Sequence, residues 1–260
     1  MYLFEKQTNM LSERTLPFRK KVKFNFLKYF LKGKNVECSI CEQKYMTFLP
    51  FGVKHKRSNA LCLNCFSLER HRLVWLFIKN KTTLLNSKSR VKLFHVAPES
   101  AFFKHFRKNK MIDYYPVDLF EEGYSYPKGT INMDITAINY DNESFDVVIC
   151  NHVLEHIPDD KKALSELYRI LKKDGWAILL VPIEKDLEHT FEDPSITDSK
   201  GREEAYGQSD HVRQYGRDYA SRLENSGFKV TVNKFNDTFS RDEKFRYGLP
   251  KDTDIYYCTK

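Results

Sequence analysis

The chain from residue 91 onward alternates short apolar runs with longer amphipathic ones. "VKLFHVA" (91–97) predicts a strand and "SAFFKHFRKN" (100–109) a helix, and "IDYYPVDL" (112–119) and "INMDI" (131–135) predict two more strands. "FDVVICN" (145–151) and "WAILLVP" (176–182) are continuously apolar, as parallel strands covered on both faces are. Between them "DDKKALSELYRILKKDG" (159–175) has helical periodicity, with Asp159 or Asp160 as its N-cap and Gly175 as its terminator. "RDYASRLENSGF" (217–228) predicts a helix ending at Gly227, and "KVTVNKF" (229–235) and "IYYCTK" (255–260) predict closing strands. This alternation predicts a doubly wound α/β sheet.

Ahead of that domain, "LERHRLVWLFIKNKTTLL" (68–85) has helical spacing, and "NSKSR" (86–90) is a polar break that makes a domain boundary. The organisation expected is a basic leader (1–35), a cysteine-bearing module with its connecting helix (36–85) and the α/β domain (86–260). Within the last, residues 183–216 are polar and long for a connection, and such segments at the active end of a sheet are usually functional or disordered; we expect a lid over about 183–216.

Charge changes the picture mainly at the front. The chain of 260 residues carries a net charge of +8, and "FRKKVKFNFLKYFLKGK" (18–34) interleaves lysines and an arginine with aromatic and aliphatic residues. Such a stretch binds nucleic acid or an anionic membrane surface, or it is a helix that packs one side and solvates the other. No apolar run reaches the ~20 residues of a membrane span, and Glu5 and Lys6 come too early for a signal peptide. The expected location is cytoplasmic.

Four of the six cysteines form two C-x-x-C pairs, Cys38/Cys41 and Cys62/Cys65. In a cytoplasmic protein this pattern points to metal rather than disulfides. Two knuckles joined by a hairpin present four thiolates to one tetrahedral Zn²⁺; iron in a rubredoxin-like site is the alternative. Four ligands leave no open position, so the ion is expected to be structural. Cys150 and Cys258 fall in predicted strands and read as small buried hydrophobes.

Ligands of open α/β sheets bind beyond the carboxyl ends of the strands. Those ends here are Ala97-Pro98-Glu99, Asp118, Asp134-Ile135 and Asn151-His152. An acid for ribose hydroxyls, an acid for an exocyclic amine and apolar neighbours for a purine make a nucleoside-like site. "DITAINYDNESFDVVICNHVLEHIPDDKKALSELYRILKKDGWAILLVPI" resembles the central block of class I S-adenosylmethionine-dependent methyltransferases, of the broad type 11 group. Further similarity is to a subset with an N-terminal four-cysteine zinc ribbon, "SLERHR" (67–72), "APE" in place of loop glycines, and "GQSDHVRQYGRDY" (207–219). The resemblance implies a Rossmann-like, seven-stranded, mostly parallel sheet preceded by a small zinc-ribbon module, with S-adenosylmethionine as cofactor. It implies that Asp118 binds the ribose, that Asp134 and the Ile135 backbone hold the adenine, and that Asn151 and His152 line the floor near the methionine part. Ala97 takes the place of the first loop glycine and Glu99 that of a later one, with Pro98 between; Glu99 is expected to reach the cofactor's ammonium. His95 reads either as part of this site or as a core histidine.

For the acceptor, His211 is the first candidate base, oriented by Asp210 or Glu184, with His152 and His156 next. Tyr206, Arg213, Tyr215 and His156 are candidate substrate contacts, although Arg213 reads equally as an ion pair holding the lid and His156 as structural. The expected reaction is methyl transfer to a hydroxyl or amine of a small-molecule or glycan-type acceptor. RNA is the alternative acceptor, given the sequence pI near 9.0 and the basic leader. Two further classes are a non-enzymatic zinc-ribbon nucleic-acid binder with a degenerate cofactor site and a membrane-surface scaffold using residues 18–34. Oligomeric state is not legible.

Overall fold

A computed structural model describes residues 18–52, 56–122 and 124–260. The first half of the expected basic leader, residues 1–17, lies outside the described residues. Helix α1 (Phe18–Phe30) leads into two small antiparallel pairs, β1 (Lys32–Glu37) with β2 (Lys44–Tyr45) and β3 (Leu49–Phe51) with β4 (Arg57–Leu61), and then helix α2 (Glu69–Lys81). The main sheet is built from β5 (Val91–Val96), β6 (Ile112–Asp118), β7 (Ile131–Asn132), β8 (Phe145–Asn151), β9 (Leu171–Leu180), β10 (Lys229–Asn233) and β11 (Ile255–Thr259). Their order across the sheet is β10-β11-β9-β8-β5-β6-β7. Strand β11 runs antiparallel to both its neighbours, and every other pair in this sheet is parallel. The seven-stranded mostly parallel sheet expected from the sequence is therefore present.

Strand order reverses at β5, with β6 on one side and β8 on the other. Leu93 to Val96 and Val147 to Asn151 are buried, because helices cover both faces here. Helices α3 (Ser100–Lys108), α4 (Asp160–Ile170), α5 (Ser199–Tyr206), α6 (Tyr219–Glu224) and α7 (Arg241–Tyr247) complete the elements that matter below.

Several boundaries differ from expectation, each for a local reason. Helix α4 is capped by Asp159, whose carboxylate accepts from the Lys162 N–H, but it ends at Ile170 instead of running to Gly175. Leu171 already pairs with Phe145, and the strand bulges before Trp176 pairs with Val147. Gly175 lies in that bulge, where a Cβ would come 2.9 Å from the Asp146 carbonyl oxygen and 3.0 Å from that of Lys172. Glycine is required there for close backbone approach, not to stop a helix. Strand β7 stops at Asn132, because the Asp134 carboxylate turns back to accept from the N–H and hydroxyl of Thr136 and takes the chain out of the ladder. The 217–228 helix is shorter, spanning Tyr219–Glu224, with Gly227 at φ +104° beyond it.

The cysteine module and the sheet share one core. Trp75 of α2 stacks on Phe102 of α3 at 5.6 Å, and Phe77 meets Phe235 edge-on. The fully buried Arg72 donates to the carbonyls of Ala60 and Ser67 on one side and of Tyr247 and Gly248 on the other. One guanidinium thereby bolts residues 60–67 to the C-terminal end of α7. In α1, Phe24 and Leu27 pack on this core, Phe24 edge-on to Phe66, whereas Val22, Phe26, Tyr29 and Phe30 are exposed. The helix thus packs one side, and aromatic residues remain on the other. Among the described residues no helix is long and apolar enough to cross a membrane.

Candidate functional site

A cleft of about 380 Å³ opens at the carboxyl ends of β5, β6 and β8. Ala97, Pro98, Asp118, Asp134, Ile135, His152 and His156 all line it, so most of the cofactor residues expected from the sequence are brought together. The backbone explains the first of them. Ala97 has φ +44°, a left-handed conformation that favours glycine, and its N–H donates to the Val117 carbonyl. The alanine therefore makes the turn that a glycine makes without strain, which answers how a glycine-free loop fits here. At the end of β8 the chain repeats the device. His152 has φ +54° with its N–H on the Leu180 carbonyl, which brings the residue to the cleft wall.

Glu99 and Asn151 are not brought to the cleft lining. Glu99 is buried beneath the loop, its carboxylate 2.8 Å from His95 Nε2 and accepting from Asn151 Nδ2 at 3.1 Å; His95 Nδ1 in turn meets the Tyr114 hydroxyl at 3.0 Å. Burial pushes the Glu99 carboxyl up, but the His95 hydrogen bond and charge outweigh it and hold the group at about 2. The expectation of a carboxylate aimed at the cofactor is replaced by a carboxylate that props the loop from below. His95 is the core histidine of that prop.

Residues 183–216 are folded, with bridges between Ile183 and Tyr215 and between Phe191 and Gln214, and with α5 inside. Arg213 is buried and donates to the carbonyls of Leu154, Ile157 and Pro158 and to Glu192; it holds the 183–216 segment to the β8–α4 connection and does not face the cleft. The fully buried Tyr215 donates to the Asp160 carboxylate at 2.6 Å, which Arg222 also grips. Burial pushes the Asp160 carboxyl up, and the bonds from Arg222 and Tyr215 outweigh it and hold the group low. The Tyr206 hydroxyl donates to the Asp193 carbonyl and accepts from the Asp193 N–H. As substrate contacts, Arg213 and Tyr215 are thus corrected to structural anchors.

His211 lines a smaller cavity of about 190 Å³ together with Glu155, Glu184 and Tyr206. Its ring lies edge-on to His156, centroids 4.7 Å apart, and His156 is the member that faces the main cleft. Asp210 serves His156: its carbonyl and its carboxylate lie 3.2 and 3.3 Å from His156 Nδ1. Burial holds His156 far below the ordinary imidazole range, at about 4, against the opposing charge of Glu155. His152 Nδ1 is 3.4 Å from the buried Glu155 carboxylate. Residues without an assigned role in the sequence also appear. Arg70, inside the quoted "SLERHR", lines the cleft from the first turn of α2, and Tyr126 lines it from the loop after β6. A cation at Arg70 is legible as a site residue only once α2 is known to pack against the sheet.

The four cysteines converge. Cys38 and Cys65 Sγ are 3.5 Å apart, Cys41 and Cys62 Sγ 3.7 Å, and all four lie within 4.8 Å of one another. Four sulfurs on a tetrahedral ion with ~2.3 Å bonds are about 3.8 Å apart, so the donor set fits Zn²⁺.

Residues 99–179, from beneath the loop to the end of β9, match the family model described as a methyltransferase domain. The chain thus carries a methyltransferase domain. The match contains Asp118, Asp134, Asn151 and His152, and it sets aside the non-enzymatic reading. A search of curated proteins finds no match to the methyltransferase. Its structure is similar to the cyclase SpnF, at 16% identity and a TM-score of 0.43, over 61% of this chain and 57% of that one, less than two thirds of SpnF's length. A chain of a Haloferax volcanii complex containing the Trm112 methyltransferase activator is similar at 15% identity and 0.45, covering 74% and 92%. So is a SAM-dependent methyltransferase from Archaeoglobus fulgidus, at 16% identity and 0.46, covering 75% and 95%.

Proposed function

We propose that the methyltransferase transfers a methyl group from S-adenosylmethionine to a hydroxyl or amine of a small-molecule or glycan-type acceptor, with a structural zinc ion held by Cys38, Cys41, Cys62 and Cys65. The observation that carries this reading is the convergence of Ala97, Pro98, Asp118, Asp134, Ile135 and His152 on one cleft at the reversal of strand order. Asp118, the last residue of β6, accepts the ribose hydroxyls, and Asp134 with the Ile135 backbone holds the adenine. Ala97 and Pro98 form the close-packed edge against the amino-acid part, propped by Glu99 and Asn151, and Arg70 offers its guanidinium to a carboxylate. Bound there, the cofactor supplies a methyl group on a cationic sulfonium.

The chain's own residues then need to align the acceptor, exclude water and accept a proton. Alignment contributes up to about 7–11 kcal/mol and a base about 10²–10⁴-fold. His211 lies behind His156, so we assign the proton acceptor to His152, which reaches the cleft wall directly and has Glu155 at its other side. His152→Ala is expected to lower kcat at least ~100-fold while S-adenosylhomocysteine affinity falls less than about fivefold; an equal loss in both would make His152 a cofactor ligand only. A second reading, RNA as acceptor, is favoured by the exposed Phe26, Tyr29 and Phe30 on the lysine-bearing α1. Methylation whose KM rises steeply with salt would support it.

A further inference from the structure

Glu155, His156 and His211 place one ligand atom each within 4.8 Å of the other two. We propose that these three residues form a second metal site, distinct from the cysteine cluster, that takes a divalent transition-metal ion at the wall of the cleft. Two imidazoles and a carboxylate suit zinc, iron, cobalt or nickel rather than calcium or magnesium.

Several features of the surroundings agree with a ligand set. Glu155 is 1% exposed and His211 5%, so this is not an acidic patch on the surface. Coordination to a cation offsets the cost of taking such a carboxylate out of water. Ligating histidines characteristically give their second ring nitrogen to a carbonyl or carboxylate. His156 has both at Nδ1, the carbonyl and the carboxylate of Asp210, and that contact sets the tautomer whose lone pair is on Nε2. His152 stands beside the same cluster, 3.4 Å from Glu155. Donors on an ion with ~2.1 Å bonds lie at most about 4.2 Å apart, so the side chains need only small rotations to close on it.

The position bears on the acceptor. Glu155 and His211 line the smaller cavity and His156 the cleft, so the ion would stand between them with coordination positions open. Three protein ligands with open positions are the arrangement of a catalytic site, where four cysteines make a closed one. Resting on the function proposed above, the acceptor is then a hydroxyl. With its oxygen on the ion, the hydroxyl would give its proton to His152, and a new O–CH₃ bond would form as the S–CH₃ bond breaks, releasing S-adenosylhomocysteine.

The test starts from full-length protein with one zinc per chain in the cysteine cluster. Co²⁺ is titrated in and followed by visible absorption, with S-adenosylhomocysteine affinity measured on the same samples. We expect wild type to bind one further equivalent without thiolate charge-transfer bands. Both His211→Ala and Glu155→Gln are expected to weaken that equivalent at least ~100-fold while keeping their zinc and their S-adenosylhomocysteine affinity. A wild type that takes up no further Co²⁺ overturns the site, whether or not the variants fold, and so does unchanged uptake by folded His211→Ala. Failure of S-adenosylhomocysteine to bind while Co²⁺ binds as expected overturns the methyltransferase reading of the cleft and upholds the metal site.

Discussion

The cysteine cluster and the cleft-side cluster of Glu155, His156 and His211 differ in what surrounds them and therefore in what each can do. The four sulfurs belong to a small module with two short hairpins, and none of the four cysteines lines the cleft. The second cluster is assembled from the β8–α4 connection and the lid, residues far apart in sequence, and one of its members forms part of the cleft wall. The first arrangement organises a segment with too little core to fold alone. The second is held by a domain that is already folded, so its chemistry is free to serve a reaction. Yet the two regions are not independent, because Arg72 ties the cysteine module to the C-terminal end of α7 and Arg70, two residues earlier, reaches the cleft.

That difference orders the expected effects. Stripping zinc, or replacing Cys62 by serine, is expected to unfold the ribbon, for which metal binding is worth on the order of 10 kcal/mol. Because the ribbon is bolted to the domain, S-adenosylhomocysteine affinity is expected to fall as well. Zinc content, protease sensitivity of residues 32–68 and calorimetry read out both, and intact affinity after zinc loss would separate the two regions.

The next effect in size belongs to the prop beneath the loop. The Glu99 carboxyl is held at about 2 in the folded protein, below the ordinary 4.5, so it contributes stability that is present above about 4.5 and lost as pH falls toward 2. Between pH 5 and pH 3 this amounts to roughly 2 kcal/mol. Urea unfolding of wild type and Glu99→Gln at those two pH values is expected to show a steeper decline for wild type by about that amount, and parallel declines would remove Glu99 from the acid response.

The smallest effect is at Ala97. Glycine there would relieve a left-handed φ worth about 1–2 kcal/mol but would add unfolded-state entropy worth roughly 0.5–1 kcal/mol. Ala97→Gly is expected to change unfolding free energy by less than about 1 kcal/mol and leave the cleft able to bind cofactor. A large loss of binding would mean that the alanine methyl itself contacts the ligand.

Local signals made much of this legible in the sequence. The C-x-x-C pairs, the apolar runs at 145–151 and 176–182 and the acids at strand ends each depend on a few neighbouring residues, and each maps onto the structure. What failed to show depends on tertiary placement. Glu99 reads as a cofactor ligand because Pro98 removes an amide donor from the loop; its turn inward is set by His95, four residues back, and by Asn151 on a neighbouring strand. Gly175 has the sequence context of a helix end, but its position is dictated by the Asp146 backbone. Tyr215 and Arg213 carry the chemistry of substrate ligands and are consumed by Asp160, Glu192 and the carbonyls of the β8–α4 connection. His211 was legible as a histidine in a functional segment, but its pairing with Glu155 and His156 was not, because they lie more than fifty positions away.

Cofactor binding in the cleft at the carboxyl ends of β5, β6 and β8, through Asp118 and Asp134, is the point on which the rest depends. Calorimetric titration of zinc-loaded wild type and Asp118→Ala with S-adenosylhomocysteine tests it most directly. One site per chain is expected in wild type, with binding at least ~10-fold weaker in Asp118→Ala at unchanged folding stability. Equal affinity in the two proteins, or no binding by well-folded wild type, would contradict it.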